Sequence, residues 1–196
     1  MQYGDMKQDE IINIIRAELD RPVVLIGMMG SGKSHIGRQL AAALGLEFYD
    51  TDSAIVEKAG ASIAEIFERD GEAKFREAEK NTILELLAHG PCIIATGGGL
   101  PVNAQSRDAI KKKAVSVWLD ADIDTLVERT AKNQNRPLLK HDNPAVVLED
   151  LLAQRRDVYA QADITVDSSA GAAIDATTQI TKLLCEFLNP DSLAVL

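Results

Sequence analysis

Apolar residues recur along this chain in two rhythms. Short continuous runs rich in β-branched residues, PVVLIG (22–27), LEFYD (46–50), CIIATG (92–97), AVSVWLD (114–120) and DITVD (163–167), read as strands. Between them lie longer stretches with apolar positions three and four apart. These are DEIINIIRAEL, which sets Ile11, Ile12, Ile15 and Leu19 on one face, SHIGRQLAAALG, SIAEIFERDG, EAKFREAEKNTILELLAHG, IDTLVERTAK, PAVVLEDLLAQRRDVYAQ and AAIDATTQITKLLCEFL. Buried strands alternating with helices predict an α/β fold with a parallel sheet covered on both faces. The polar segment NQNRPLLKHDN, broken by Pro137 and followed by Pro144, predicts a mobile lid over about 131–143. The expected organisation is a helical extension over 1–20, one domain over 21–188 and a tail over 189–196, with no internal repeat.

Composition narrows the class. A formal charge of -9 repels nucleic acid phosphates and anionic membrane surfaces, so an anionic substrate needs a local cluster of Arg and Lys. No apolar stretch approaches the roughly 18 residues of a membrane span and the amino terminus has no signal-peptide pattern, so a cytoplasmic protein is expected. Cys92 and Cys185 lie far apart in apolar surroundings without metal-site spacing, and read as two buried thiols.

GMMGSGKS (27–34) satisfies the G-x-x-x-x-G-K-[ST] pattern at Gly27, Gly32, Lys33 and Ser34, after a strand and before a helix. Glycines there let backbone N–H groups turn in around a phosphate, Lys33 neutralises the β and γ oxygens, and Ser34 can ligate Mg²⁺. A nucleoside triphosphate is the expected ligand. The loop alone does not name the reaction, because motors, GTPases and small-molecule kinases share it. A guanine-specific N-K-x-D is absent, and the lid segment favours a kinase that must exclude water from the transferring group. Asp50 and Asp52 fall at the carboxyl edge of the sheet, where ligands bind in open α/β folds. Arg76 and Glu79 are spaced to pair on a helix. Three consecutive glycines, Gly97 to Gly99, end the third apolar run.

The set GMMGSGKS, FYDTD, SIAEIFERDGEAKFREAE, IIATGGG, RPLL and AQRRDVY, in this order, closely resembles shikimate kinase from about Pro22 to Tyr159. The resemblance implies a three-layer P-loop fold like that of nucleoside-monophosphate kinases, with a five-stranded parallel sheet. It also implies transfer of the ATP γ-phosphoryl to the 3-hydroxyl of shikimate, with Mg²⁺. By matching motif, Asp52 binds the ring hydroxyls and is the candidate base, while Asp50 serves the metal with Ser34. Arg76, oriented by Glu79, and Arg155 bind the substrate carboxylate. Arg155 is preferred to Arg156 because the family's Arg stands four residues before the Tyr, here Tyr159. Gly97, Gly98 and Gly99 wall the ring, a Cβ there filling the ring's space and their N–H groups being available to it. Arg136 reaches the transferring phosphates as an arginine finger, and Arg129 stands beside the adenine.

Gly30, Ser31, Gly32, Lys33, Ser34 and His35 complete the nucleotide-binding set. His35 departs from the small or β-branched residue usual at its position. Ala160 departs from a basic residue, and VDSSAGAA lacks the basic and Pro residues often found in the adenine loop. ATP and shikimate are the expected partners of a monomer that binds neither nucleic acid nor membrane. The competing readings are a gluconate or nucleoside-monophosphate kinase, which DTD, FRE and TGGG disfavour, and a catalytically silent nucleotide-binding module.

Overall fold

The structure, a computed structural model, describes residues 7–131, 143–169 and 173–190. Strands β1 (Val23–Ile26), β2 (Phe48–Asp50), β3 (Ile93–Ala95), β4 (Val115–Asp120) and β5 (Ile164–Asp167) form one sheet in the order β2-β3-β1-β4-β5, every pairing parallel. The helices are α1 (Gln8–Glu18), α2 (Lys33–Leu44), α3 (Thr51–Ala59), α4 (Ile63–Leu86), α5 (Ala104–Lys113), α6 (Ile123–Ala131), α7 (Pro144–Tyr159) and α8 (Ala173–Leu188), with a 3₁₀ turn over Leu100–Val102.

The unbroken apolar run of β1 has a direct cause. Val23 and Leu25 enter a core shared with α1, α2 and α8, while Val24 and Ile26 enter a second core on the opposite face. A strand buried on both faces has no position at which a polar residue would meet water. Cys185 lies in the first core and Cys92 in the second, both as buried thiols. Burial pushes the Cys92 thiol up to about 11, so it stays protonated.

Helix α1 lays Ile11, Ile15 and Leu19 into the first core. Fully burying a side chain of this kind contributes about 1.5–3 kcal/mol. Arg16 then donates from Nε to the Leu44 carbonyl at 2.8 Å and from Nη2 to that of Ala43 at 3.3 Å, covering carbonyls that the end of α2 leaves without helical partners.

All five predicted strands are present, with trimmed ends. The two helices expected over 62–90 join as α4 with an interruption at Gly71, whose φ of +82° is not helical. Helices α3 and α5 are additions to the expected set. The lid expectation, with Arg136, lies outside the described residues, as do 191–196 of the tail. Among the described residues no helix is long and apolar enough to cross a membrane.

Candidate active site

The segments that follow the carboxyl ends of β1, β2 and β3 meet one another, as the parallel order requires. After β1, Gly30 and Gly32 take φ of +86° and +92°, a region that L side chains avoid. The chain thereby turns into the N-terminus of α2. The buried Lys33 ammonium folds back into this loop and donates to the carbonyls of Gly27 at 2.9 Å and Met28 at 2.7 Å. Ser31 is fully buried in the same turn. Helix α6 closes one side: a Cβ on Gly30 would stand 2.9 Å from Thr130 Cγ2, and one on Gly32 would stand 4.0 Å from Arg129 Nη1. The His35 side chain is exposed, while the backbone N–H of His35 donates to the Gly32 carbonyl at 3.0 Å.

Strand β2 runs into α3 without a connecting residue, because Asp50 ends one and caps the other. Its Oδ1 accepts from the N–H groups of Asp52 at 3.1 Å and Ser53 at 3.2 Å, a typical N-cap. Its Oδ2 accepts from Ser34 Oγ at 2.5 Å. One carboxylate therefore ties the phosphate loop to the start of α3. Asp52 sits in the first turn of α3.

The third loop, after β3, carries Gly97 to Gly99. None of the three has a positive φ, so their identity is not a matter of backbone conformation. A Cβ on Gly97 would lie 2.7 Å from Asp52 Oδ1 and 2.8 Å from Glu79 Oε1, and one on Gly99 would lie 2.8 Å from Arg76 Nη1. A Cβ on Gly98 would lie 3.3 Å from the Gly27 carbonyl oxygen and 3.4 Å from the Met29 nitrogen. Side chains from α3 and α4 thus stand against the positions that a Cβ at Gly97 or Gly99 would occupy. The Gly97 N–H is also engaged, donating to the buried Thr51 Oγ1 at 2.9 Å.

Helix α4 brings Arg76 and Glu79 to this loop. Arg76 Nη1 donates to Glu79 Oε2 at 2.6 Å, while its Nε and Nη2 reach Glu72 Oε1 at 3.3 and 3.1 Å. Glu79 is 3% exposed, and burial raises its pKa; Arg76 opposes the rise and Asp52 adds to it. From α7, Arg155 places Nη1 3.7 Å from the point a Gly98 Cβ would occupy. Arg156 instead turns to Asp120 Oδ2 at 3.2 Å and stacks over Trp118, 5.3 Å from the ring centre.

Lys33, Ser34, Asp50, Asp52, Arg76, Glu79, Arg155 and the three glycines thus form one neighbourhood, with Arg129 beside Gly32 at its edge. Sequence reasoning missed Thr51, Met28 and Tyr159 as parts of it. The apolar and hydroxyl residues among them carry no charge signal, although Thr51 stands between the two aspartates and Tyr159 one helical turn after Arg155. Chemically, the arrangement offers backbone and ammonium donors for phosphates, carboxylates for hydroxyls, and two guanidinium groups for an acceptor's negative charge.

Comparison with known proteins agrees with this geometry. The family model for shikimate kinase matches residues 29–185. A shikimate kinase of Mesorhizobium japonicum is 43% identical over 174 residues, covering 89% of this chain and 86% of the relative. One of Rhodopseudomonas palustris is 48% identical over 155 residues, covering 79% and 76%. Among solved structures, shikimate kinase from Acinetobacter baumannii in complex with shikimate aligns with a TM-score of 0.83 at 37% identity, covering 88% of this chain and 96% of that one. A gluconokinase from Sinorhizobium meliloti aligns with a TM-score of 0.58 at 19% identity, a likeness of fold alone. On this combination of motif, fold and identity, the chain belongs to the shikimate kinase family, ATP-dependent kinases that phosphorylate shikimate.

Proposed function

We propose that this chain transfers the γ-phosphoryl group of ATP to the 3-hydroxyl of shikimate, with the nucleotide in the Gly27–Ser34 loop and the acceptor against Asp52, Arg76, Arg155 and the three glycines. The supporting observation is the convergence of Asp52, Glu79, Arg76 and Arg155, from three helices, on one glycine loop that touches the phosphate loop. Asp52 orients the attacking hydroxyl and takes its proton; a loose phosphoryl-transfer transition state demands little base strength. Arg76 and Arg155 bind the shikimate carboxylate, Glu79 holding Arg76 in place. Lys33 neutralises the phosphate oxygens, and Arg136 does so from the lid.

Gly30, Ser31, Gly32 and His35 complete the phosphate loop's contacts, and Arg129 stands beside the adenine. The donor set suits Mg²⁺: a hydroxyl and a carboxylate, Ser34 and Asp50, are already in contact, and both are hard oxygen ligands. Bound there, Mg²⁺ would supply positive charge against the charge that develops on the transferring group. The N-cap bonds on Asp50 Oδ1 leave Oδ2 directed at Ser34, so α3 helps fix the metal-side carboxylate. The protein works as a cytoplasmic monomer on small molecules, without nucleic acid or membrane partners.

The test is ADP release from ATP and Mg²⁺ with shikimate, gluconate or a nucleoside monophosphate as acceptor, followed by mass spectrometry. A shikimate-dependent release with a phosphate gain on shikimate is expected. Turnover of another acceptor with no response to shikimate would overturn the reading.

A further inference from the structure

Tyr159 is fully buried in the last turn of α7, yet its hydroxyl is not idle. It donates to the Gly98 carbonyl oxygen at 2.6 Å and lies 3.7 Å from Met28 Sδ. Arg155, four residues earlier on the same helical face, brings its guanidinium to the same loop, Nη1 standing 3.7 Å from the point a Gly98 Cβ would occupy, and its positive charge acts on the phenol. A phenol has one donor hydrogen and lone pairs to spare, so it can donate to Gly98 and accept from Arg155 at once.

Both partners continue into the site. Gly98 rests against the phosphate-loop backbone at Gly27 and Met29, and the Gly27 and Met28 carbonyls hold the Lys33 ammonium. Ring burial does not require the hydroxyl: the Trp118 ring packs 6.0 Å away, and phenylalanine would fill the same space. Arg156 does not compete for the hydroxyl, since it is held by Asp120.

We infer that Tyr159 is a positioning residue for acceptor binding: its hydroxyl fixes the Arg155 guanidinium and the Gly98 carbonyl in one chain of hydrogen bonds, setting the carboxylate-binding fork relative to the phosphate loop. The inference rests on the reading of Arg155 as a carboxylate ligand. Burial raises the Tyr159 pKa, the Arg155 charge opposing it, so the hydroxyl keeps its proton to donate at neutral pH.

Steady-state kinetics of Tyr159→Phe, Arg155→Ala and the double variant test this. Tyr159→Phe should raise the shikimate KM about tenfold, the loss expected for a hydrogen bond to a charged group, while kcat and the ATP KM change less than about threefold. Arg155→Ala should raise the shikimate KM further, and adding Tyr159→Phe to it should do nothing more, because the tyrosine acts through the arginine. An unchanged shikimate KM in Tyr159→Phe, or full additivity in the double variant, overturns the inference.

Should Tyr159→Phe fail to fold, a fluorinated tyrosine incorporated at 159 keeps the ring and the hydroxyl but ionises at lower pH. Arg155 is the ionised side chain against that hydroxyl. Loss of the phenol proton removes the donor to Gly98 and should raise the shikimate KM, so with the fluorinated residue that rise should begin at lower pH than in the parent, and an unmoved profile counts against the proposal. A shikimate KM indifferent to Arg155→Ala sinks the acceptor-site reading and this inference with it. A KM sensitive to Arg155→Ala but indifferent to Tyr159→Phe sinks this inference alone.

Discussion

Two glycine-rich loops face each other in this molecule, and they need glycine for different reasons. In the phosphate loop Gly30 and Gly32 have φ near +90°, so an L side chain would be strained whatever room it had. In the loop after β3 the backbone is ordinary at all three glycines, and space is what forbids a Cβ. Asp52, Glu79 and Arg76 press against the positions it would occupy. The first loop is shaped by its own dihedral angles so that its N–H groups can point inward. The second is a floor thin enough for charged groups from α3 and α4 to share.

The largest expected effect bears on that shared floor. Gly97→Ala should cut shikimate-dependent turnover at least a hundredfold while leaving ATP affinity within about twofold, because the new methyl displaces buried carboxylates and not the nucleotide's loop. Asp52→Asn is its isosteric control and should cost about 10²–10⁴ in kcat if the carboxylate orients and deprotonates the hydroxyl. Turnover measured beside nucleotide binding by calorimetry separates the two sites. If Gly97→Ala weakens ATP as much as shikimate, the two loops are not distinct in the way argued.

Gly32→Ala is the counterpart. Forcing a methyl into a left-handed conformation costs about 1–2 kcal/mol, so the ATP dissociation constant should rise about tenfold. Shikimate binding to the nucleotide-free protein should stay within about twofold, as binding of each ligand alone by calorimetry would reveal. A larger loss of shikimate than of ATP would reverse the assignment of the loops.

The same contrast explains what the sequence could disclose. The phosphate loop was legible because its glycines, Lys33 and Ser34 follow a fixed spacing dictated by one chemical task. The strands were legible because burial on both faces leaves continuous apolar runs. Helix α3 was not, since Asp50 ends the strand and caps the helix with no loop residue between them, and only Thr51 and Ile55 are buried. Helix α5 was missed for a related reason: AQSRDAIKKK buries only Ser106 and Ile110, so no apolar stripe announces it. The three glycines after β3 were visible, but the groups they make room for are 18 or more positions away in sequence and meet only in the fold. Resemblance chose Arg155 over Arg156, and the structure brings Arg155 to the glycine loop while Arg156 is spent on Asp120 and Trp118.

A more moderate effect is expected of Arg76→Lys. The guanidinium spreads its donors over Glu79, Glu72 and the edge beside Gly99, and an ammonium keeps the charge without that planar reach. The shikimate KM should rise about tenfold with kcat lowered far less, which initial-rate kinetics at saturating ATP would measure. An unchanged KM would remove Arg76 from the carboxylate site.

The smallest effect concerns Glu79, the buried acid beneath the second loop. Burial raises its pKa despite Arg76, so between the ordinary glutamate range and this higher value the folded chain keeps a proton that the unfolded chain has released. Stability contributed by the protonated acid is therefore present at low pH and is lost as pH rises through the folded pKa. The exposed acids Asp70 and Glu65, whose pKa values are lowered by Arg69 and by the Ser62 cap, have the opposite slope and are common to any variant of this site. Comparison with Glu79→Gln isolates the buried group, because glutamine keeps the shape and Arg76 retains Glu72. The gain in Tm of Glu79→Gln over the parent should grow from acid to neutral pH, as thermal melts of both proteins across that range would show. A difference that is flat with pH would mean that the pairing with Arg76 outweighs burial, and that the second loop rests on an ordinary ion pair and not on a carboxylate held against its preferred charge.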